Sequence, residues 1–358
     1  MNGAAVNRDG PVGQRPGTEA VPGAVVGPKP GGRRRRGGGR GEPTVVPEAH
    51  FTSYYGRPVV KPTPWEKEIP AYLFFGGLAA GSSLLAAGAD LTGRPTLRRT
   101  GRIGALAGIS ISFVALIHDL GKPLRFVNML RVAKPTSPMS VGTWLLTPYG
   151  TLAALTGAAE LRGLIPKRFA FASRLLGALG KPAGLGAALL APTIASYTAV
   201  LLSDTSTPSW HEAHRQLPFV FVGSASAAAG GLGMLASSIA DSRPARTLAV
   251  GGAVLELAAE AVMERAMGIT AEPMHHGKAG ALMKASKVLT AVGAVGAALL
   301  APRSRLGAVV SGACLLAGSA CTRFGVFEAG LASANDPKYT VVPQRERLDR
   351  RRAAEAAS

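Results

Sequence analysis

Cysteine is nearly missing from this sequence. The two present, Cys314 and Cys321, stand seven positions apart in one apolar run, and no CxxC occurs anywhere. The chain therefore cannot itself supply the four thiolates of an iron–sulfur cluster or a zinc knuckle. The pair reads as two small apolar residues on one helix face, and no metal site is expected. Charge is scarce too: 17% of the 358 residues are Asp, Glu, Lys or Arg, against about a quarter in a soluble domain. Aromatic residues make up only 6%. Acids are outnumbered, 21 against 40 basic residues, for a net charge of +19. With no folded soluble module left to carry a nucleic-acid groove, that excess belongs at membrane surfaces.

Apolar sequence, by contrast, is plentiful and comes in blocks. It makes up 47% of the chain, and a helix of about 20 apolar residues crosses a hydrocarbon core of about 30 Å. Spans are expected near 69–91, 101–119, 138–160, 182–203, 217–240, 245–266, 286–302 and 306–323. The expected fold class is an all-α integral membrane protein, an eight-span transmembrane helical bundle in two four-helix halves. Stretches such as GGLAAGSS and AVGAVGAALL let helix backbones approach closely, which drives association in lipid. Residues 1–50, with GGRRRRGGGR at 31–40, hold too little apolar sequence to bury and read as a disordered basic tail. They lack the apolar segment of a cleavable secretory signal. The membrane domain is expected over 51–325 and a polar C-terminal tail over 326–358. Basic residues in the connections place both termini outside, while the basic tails argue the reverse.

The polar residues gather on one face. The approach to the first span, SYYGRPVVKPTPWEKEIPAY, and the second–third, fourth–fifth and sixth–seventh connections all lie there. Five of the six histidines and two of the three tryptophans fall in or beside them, His50 and Trp144 excepted. The opposite connections, such as LTGRPTLRRTGR, DSRPAR and PRSR, are plainly basic. One face is suited to chemistry or docking, the other to topology. His118, His211, His214, His275 and His276 sit at span ends or in loops, so no facing interior pair offers itself to haem.

Four pieces of sequence carry a resemblance: WEKEIPAYLFFGGLAAGS (65–82), DLGKPLRFVNMLRVAKPTSPMSVGTW (119–144), YTAVLLSDTSTPSWHEA (197–213) with LPFVFVGSASAAAGG (217–231), and LELAAEAVMERAMG (255–268). In order and over most of 55–325, the chain resembles the NrfD/PsrC-type family, quinone-reactive membrane subunits of polysulfide reductase and related molybdoenzyme complexes. The resemblance implies a bacterial, multi-pass plasma-membrane protein of anaerobic respiration whose first helices surround a menaquinone site. It implies a [4Fe–4S] ferredoxin-like partner docked on that face and a molybdopterin or tungstopterin catalytic subunit beyond it. This chain would carry no haem or iron–sulfur cluster of its own.

Quinol oxidation needs hydrogen-bond partners for two oxygens, a proton acceptor linked to water, and an apolar slot. Under the resemblance Tyr197 donates to a quinone oxygen, with Asp204 about two turns on; an interfacial belt tyrosine is the other reading. Glu68 and Tyr72, four apart, share one helix face, although a glutamate there also suits a helix start. His118 and Asp119 are placed to relay a proton; Lys122 and Arg125 either join the site or pair with Asp119. His211, beside Trp210 and Glu212, serves the site or the loop. Glu256, Glu260 and Glu264 form an i, i+4, i+8 stripe that must face the bundle or water, while Asp90 and Glu160 read as interfacial charges. A proton-coupled secondary transporter using that stripe, or a purely structural membrane anchor, are the alternative functions.

Overall fold

The computed structural model describes residues 6–7, 10–11 and 58–357. The expected disordered tail, with His50, therefore lies outside the described residues, apart from a pair of two-residue strands, Val6–Asn7 with Gly10–Pro11. From residue 58 on, the described chain is helical. Its long helices are α1 (Glu68–Leu91), α2 (Pro95–Asp119), α4 (Pro138–Glu160), α5 (Ala170–Ser203), α7 (Leu217–Ala236), α8 (Arg243–Met267), α9 (Gly277–Leu299) and α10 (Arg305–Asn335). Two short ones, α3 (Arg125–Met129) and α6 (Pro208–Glu212), lie in connections, and α11 (Lys338–Ala357) follows α10.

Local sequence sets these boundaries. Prolines stand in the first turn of α2, α4, α6, α7 and α8, where the missing N–H has no intrahelical partner to lose. Gly121 and Gly268 stop α2 and α8 at φ of 68° and 57°, a conformation costly for any residue with a Cβ. Pro148 sits inside α4, where Thr143, Thr147, Thr151 and Thr156 each donate to the carbonyl four residues back, so that these hydroxyls are satisfied within the helix.

Eight long helices lie over the eight expected spans, and their bounds differ most at three of them. α5 starts at Ala170, not near 182, and keeps its helix through Pro182 and Pro192. α9 starts at Gly277, not near 286. α10 runs to Asn335, past both the expected span end at 323 and the expected domain end at 325, because Val326, Phe327 and Ala329 are buried there. The stretch expected as a polar tail is thus mostly helix, the end of α10 followed by α11. Among the described residues six helices are long and apolar enough to cross a membrane: α1, α2, α5, α7, α9 and α10. The other two are α4, with its threonines, and α8, which carries Glu256, Glu260 and Glu264.

α1, α2, α4 and α5 pack as one four-helix half, and α7, α8, α9 and α10 as the other. The halves join mainly along α1, α5 and α7. At that seam a Cβ on Gly81 would stand 2.7 Å from the Ala225 carbonyl oxygen and from the Ala229 Cβ. Only glycine permits so close a crossing.

Candidate functional site

The start of α1 and the end of α2 come together on one face. Glu68, in the first turn of α1, points a carboxylate oxygen at the His118 Nδ1, 3.4 Å away. His118 is largely exposed, while Glu68 is mostly covered. Asp119, the next residue, lies within electrostatic range of Glu68, Glu66 and His118. The two acids and the imidazole thus form a small titratable group that reaches water through His118.

Asp119 also lines a narrow cleft that runs inward between α1, α2, α4 and α5. Its walls include Trp65, Tyr72, Phe126, Met129, Met139 and Tyr197. Its volume is about 50 Å³, room for a water or two. A six-membered ring enters only after wall side chains turn, and Met129 and Met139 are the unbranched, adaptable ones. Tyr72 is 1% exposed, and its backbone carbonyl accepts from the Ser112 hydroxyl at 3.1 Å. Among the described residues no group hydrogen-bonds the phenol of either Tyr72 or Tyr197. Among the described residues, two phenols and a carboxylate thus line one largely apolar slot without a side-chain hydrogen bond.

Tyr197 owes its position to a glycine. A Cβ on Gly142 of α4 would overlap the tyrosine ring, so the ring packs directly against the helix at that glycine. The polar connection before α4 supplies the outer wall. Its short helix α3 turns Phe126 and Met129 into the cleft, and Phe126 meets Phe113 edge to face at 6.0 Å. The end of that connection is tied down at Val132, whose carbonyl accepts from the Ser140 hydroxyl at 2.9 Å and from the Trp144 indole at 3.2 Å.

Four of the expected site residues converge at the cleft: Tyr72, Asp119 and Tyr197 in its lining, and Glu68 at its mouth. Their neighbour His118 forms the outlet. Lys122 and Arg125 are exposed and outside the lining, and neither pairs with Asp119; Arg125 instead donates to the Leu120 carbonyl at 3.3 Å. The tight turn at Gly121 carries them away from the α2 axis. Asp204 is exposed past the end of α5. His211 has its Nδ1 3.1 Å from the Ser203 carbonyl oxygen and its ring 5.9 Å from that of His214. Both stand clear of the cleft.

Trp65 connects the cleft to the second half. Its ring stacks on Trp210 at 6.0 Å, and Trp210 packs on Phe327 at 5.5 Å while donating its indole N–H to the Val326 carbonyl at 2.8 Å. The second half holds its own buried polar chain. Glu256 and Glu260 are 0% and 1% exposed. Glu256 accepts from the Thr322 hydroxyl at 2.6 Å, and Thr322 lies 2.6 Å from the Ser286 hydroxyl. Lys287 bonds Glu264 at 2.7 Å and stands 3.6 Å from Glu260. Arg323, also buried, lies over the Phe221 ring at 3.7 Å and donates to the Phe221 carbonyl at 2.7 Å. Three carboxylate oxygens, one on Glu256 and both on Glu260, have no hydrogen-bond partner among the described residues, and nor do two Arg323 nitrogens. Sequence reasoning finds the carboxylate stripe but misses Arg323, Thr322 and Ser286.

Asp90 and Glu160, expected as interfacial charges, are on the opposite face and are paired. Arg102 reaches both at 3.0 Å, and Arg98 reaches Glu160 at 2.8 Å. Among the described residues no group of three or more His, Cys, Asp or Glu side chains is arranged to hold a metal ion.

A family model described as "Polysulphide reductase, NrfD" matches residues 59–334, nearly the whole of the eight long helices. No curated protein matches the chain.

Proposed function

The chain belongs to the polysulphide reductase NrfD family, and from that membership we propose that it is the quinone-reactive membrane subunit of a respiratory oxidoreductase. The supporting observation is the cleft itself: two phenols without hydrogen-bond partners among the described residues and a carboxylate around one apolar slot, opening at a helix-end cluster that touches water. Menaquinol, a two-electron and two-proton carrier with two ring oxygens and an apolar tail, is the substrate chemistry that this lining suits once the wall side chains turn to admit its ring.

In this reading Tyr72 and Tyr197 each donate a hydrogen bond to a bound ring oxygen and fix its orientation. Asp119 accepts a proton at its carboxylate, and Glu68 with His118 passes it to bulk water. Trp65, Phe126, Met129 and Met139 exclude water from the ring. The electrons leave to a [4Fe–4S] ferredoxin-like subunit docked over the face formed by α3, α6 and the α1 approach. From there they pass to a molybdopterin or tungstopterin subunit. The chain would sit in the bacterial plasma membrane.

The test is turnover of a quinol analogue by the purified complex. Asp119→Asn is expected to lower it about 100-fold, the range for losing a general base, and Tyr197→Phe about tenfold, the range for losing one hydrogen bond. Gly142→Ala, which displaces the Tyr197 ring without touching any polar group, should resemble Tyr197→Phe. Normal turnover in the combined Glu68→Gln, Asp119→Asn, Tyr197→Phe variant would refute the site.

The buried carboxylates of α8 favour a second reading, proton movement through the second half from Lys287 and Glu264 inward to Glu260 and Glu256. Solute uptake driven by a pH gradient in vesicles holding this chain alone, abolished by Glu260→Gln, would turn the assignment towards a transporter.

A further inference from the structure

Away from the cleft, on the opposite face, α1, α2 and α7 leave an apolar groove of about 580 Å³ open to the side of the bundle. Its floor is a helical stripe of α2. Ile103, Ala107 and Ile111 follow one another four residues apart, with Phe75 and Leu78 of α1 and Leu232 of α7 as the banks. The same stripe begins at Arg99, which lies at the groove's end. From Arg99 to Ile111 the helix rises about 18 Å, close to the depth of one leaflet of a bilayer with a core of about 30 Å.

The charge at the mouth decides what fits. α2 carries three arginines within one turn of each other. Arg98 and Arg102 are neutralised by Asp90 and Glu160. Arg99 is exposed and has no ion pair or hydrogen bond among the described residues. Asp241, which meets Thr96 of the groove lining, already accepts from the Thr96 hydroxyl at 2.5 Å and from the Thr96 backbone N–H at 3.2 Å. Thr100 is likewise engaged, donating to the Thr96 carbonyl at 3.0 Å. One guanidinium without a partner among the described residues thus stands at the end of an apolar trough about as long as one leaflet is deep.

We propose that this groove holds an acyl chain of an anionic phospholipid, with the lipid phosphate against the Arg99 guanidinium. The fork of a guanidinium matches phosphate oxygens in a way that a choline headgroup's own cation opposes. The trough removes one chain from the mobile lipid and covers a side of the α1–α2 pair that no described element covers. The proposal is independent of the quinone reading, because the groove and the cleft share no lining residue.

Native mass spectrometry of the full chain in detergent, titrated with phosphatidylglycerol or phosphatidylcholine, tests it. One phosphatidylglycerol is expected to remain bound at concentrations where phosphatidylcholine does not. Arg99→Gln, a surface change, should weaken retention about fivefold, the usual effect of one basic residue on an anionic lipid. Ala107→Phe, which fills the groove from an exposed position, should abolish it while leaving quinol turnover intact. Equal retention of the two lipids would overturn the proposal. So would wild-type retention by Arg99→Gln, or an isoprenoid quinone as the molecule that Ala107→Phe displaces.

Discussion

Arg323 is 1% exposed near the middle of α10, holds one backbone carbonyl and covers one aromatic ring. No direct ion pair joins it to Glu256, yet the two charges are near enough to act on each other. A buried charge persists only with such company, and removing one member leaves the other stranded. Arg323→Met is therefore expected to destabilise the chain by about 3 kcal/mol, and Glu256→Gln combined with it to recover part of that loss. Unfolding midpoints in detergent for the two single variants and the double variant check the coupling; simple additivity would disprove it. The sequence hides this residue for a physical reason. A hydropathy reading takes a charge at the end of an apolar run as the membrane edge, and Arg323 stands at such an end. Glu68, Tyr72, Asp119 and Tyr197 are legible because helix ends and four-residue spacing fix where they point. Phe126 and Met129 are not, since a five-residue helix within a connection turns them inward and leaves no periodic trace.

At the scale of elements, α11 is the one whose attachment is polar. Lys338 bonds Glu272 at 2.7 Å, and Arg347 lies 3.5 Å from Glu212. The Lys338 hydrogen bond holds the Glu272 carboxyl below its ordinary value of 4.5. In turn the Glu272 carboxylate raises the Lys338 ammonium above 10.5. A carboxyl held low stabilises docking above pH 4.5 and ceases to do so as pH falls through its lowered value; an amine held high stabilises it below 10.5 and ceases to do so as pH rises through its raised value. α11 should stay docked across the neutral range and loosen in acid, and Glu272→Gln should loosen it at neutral pH. The mobility of a spin label on α11 measures both, and a label equally immobile in Glu272→Gln would contradict the attachment. Added salt should have the same sense of effect, since the pair is open to solvent. Helix number and order are readable from apolar blocks, but not the long reach of α5 and α10. Pro182 and Pro192 look like stops in sequence, yet neighbouring helices and freed carbonyls tolerate them inside a bundle.

For the whole molecule, the two halves meet where glycine permits it. Gly81→Val is expected to push α1 off Ala225 and Ala229 and to lower the unfolding midpoint by several degrees. The same change at Gly88, where a Cβ would meet nothing within 4 Å, should do little. Comparing the two midpoints separates seam packing from helix propensity, and equal losses would remove the seam from the account. The polar centre of the second half bears on how the molecule comes to exist. α10 brings Arg323, and α8 brings Glu256 and Glu260; each such charge costs about 3 kcal/mol at the middle of a lone helix leaving the translocon. Neither helix is at ease in lipid until the other arrives. The expected consequence is that α8 stays beside the insertion machinery until α10 is synthesised, the two entering lipid together rather than one by one.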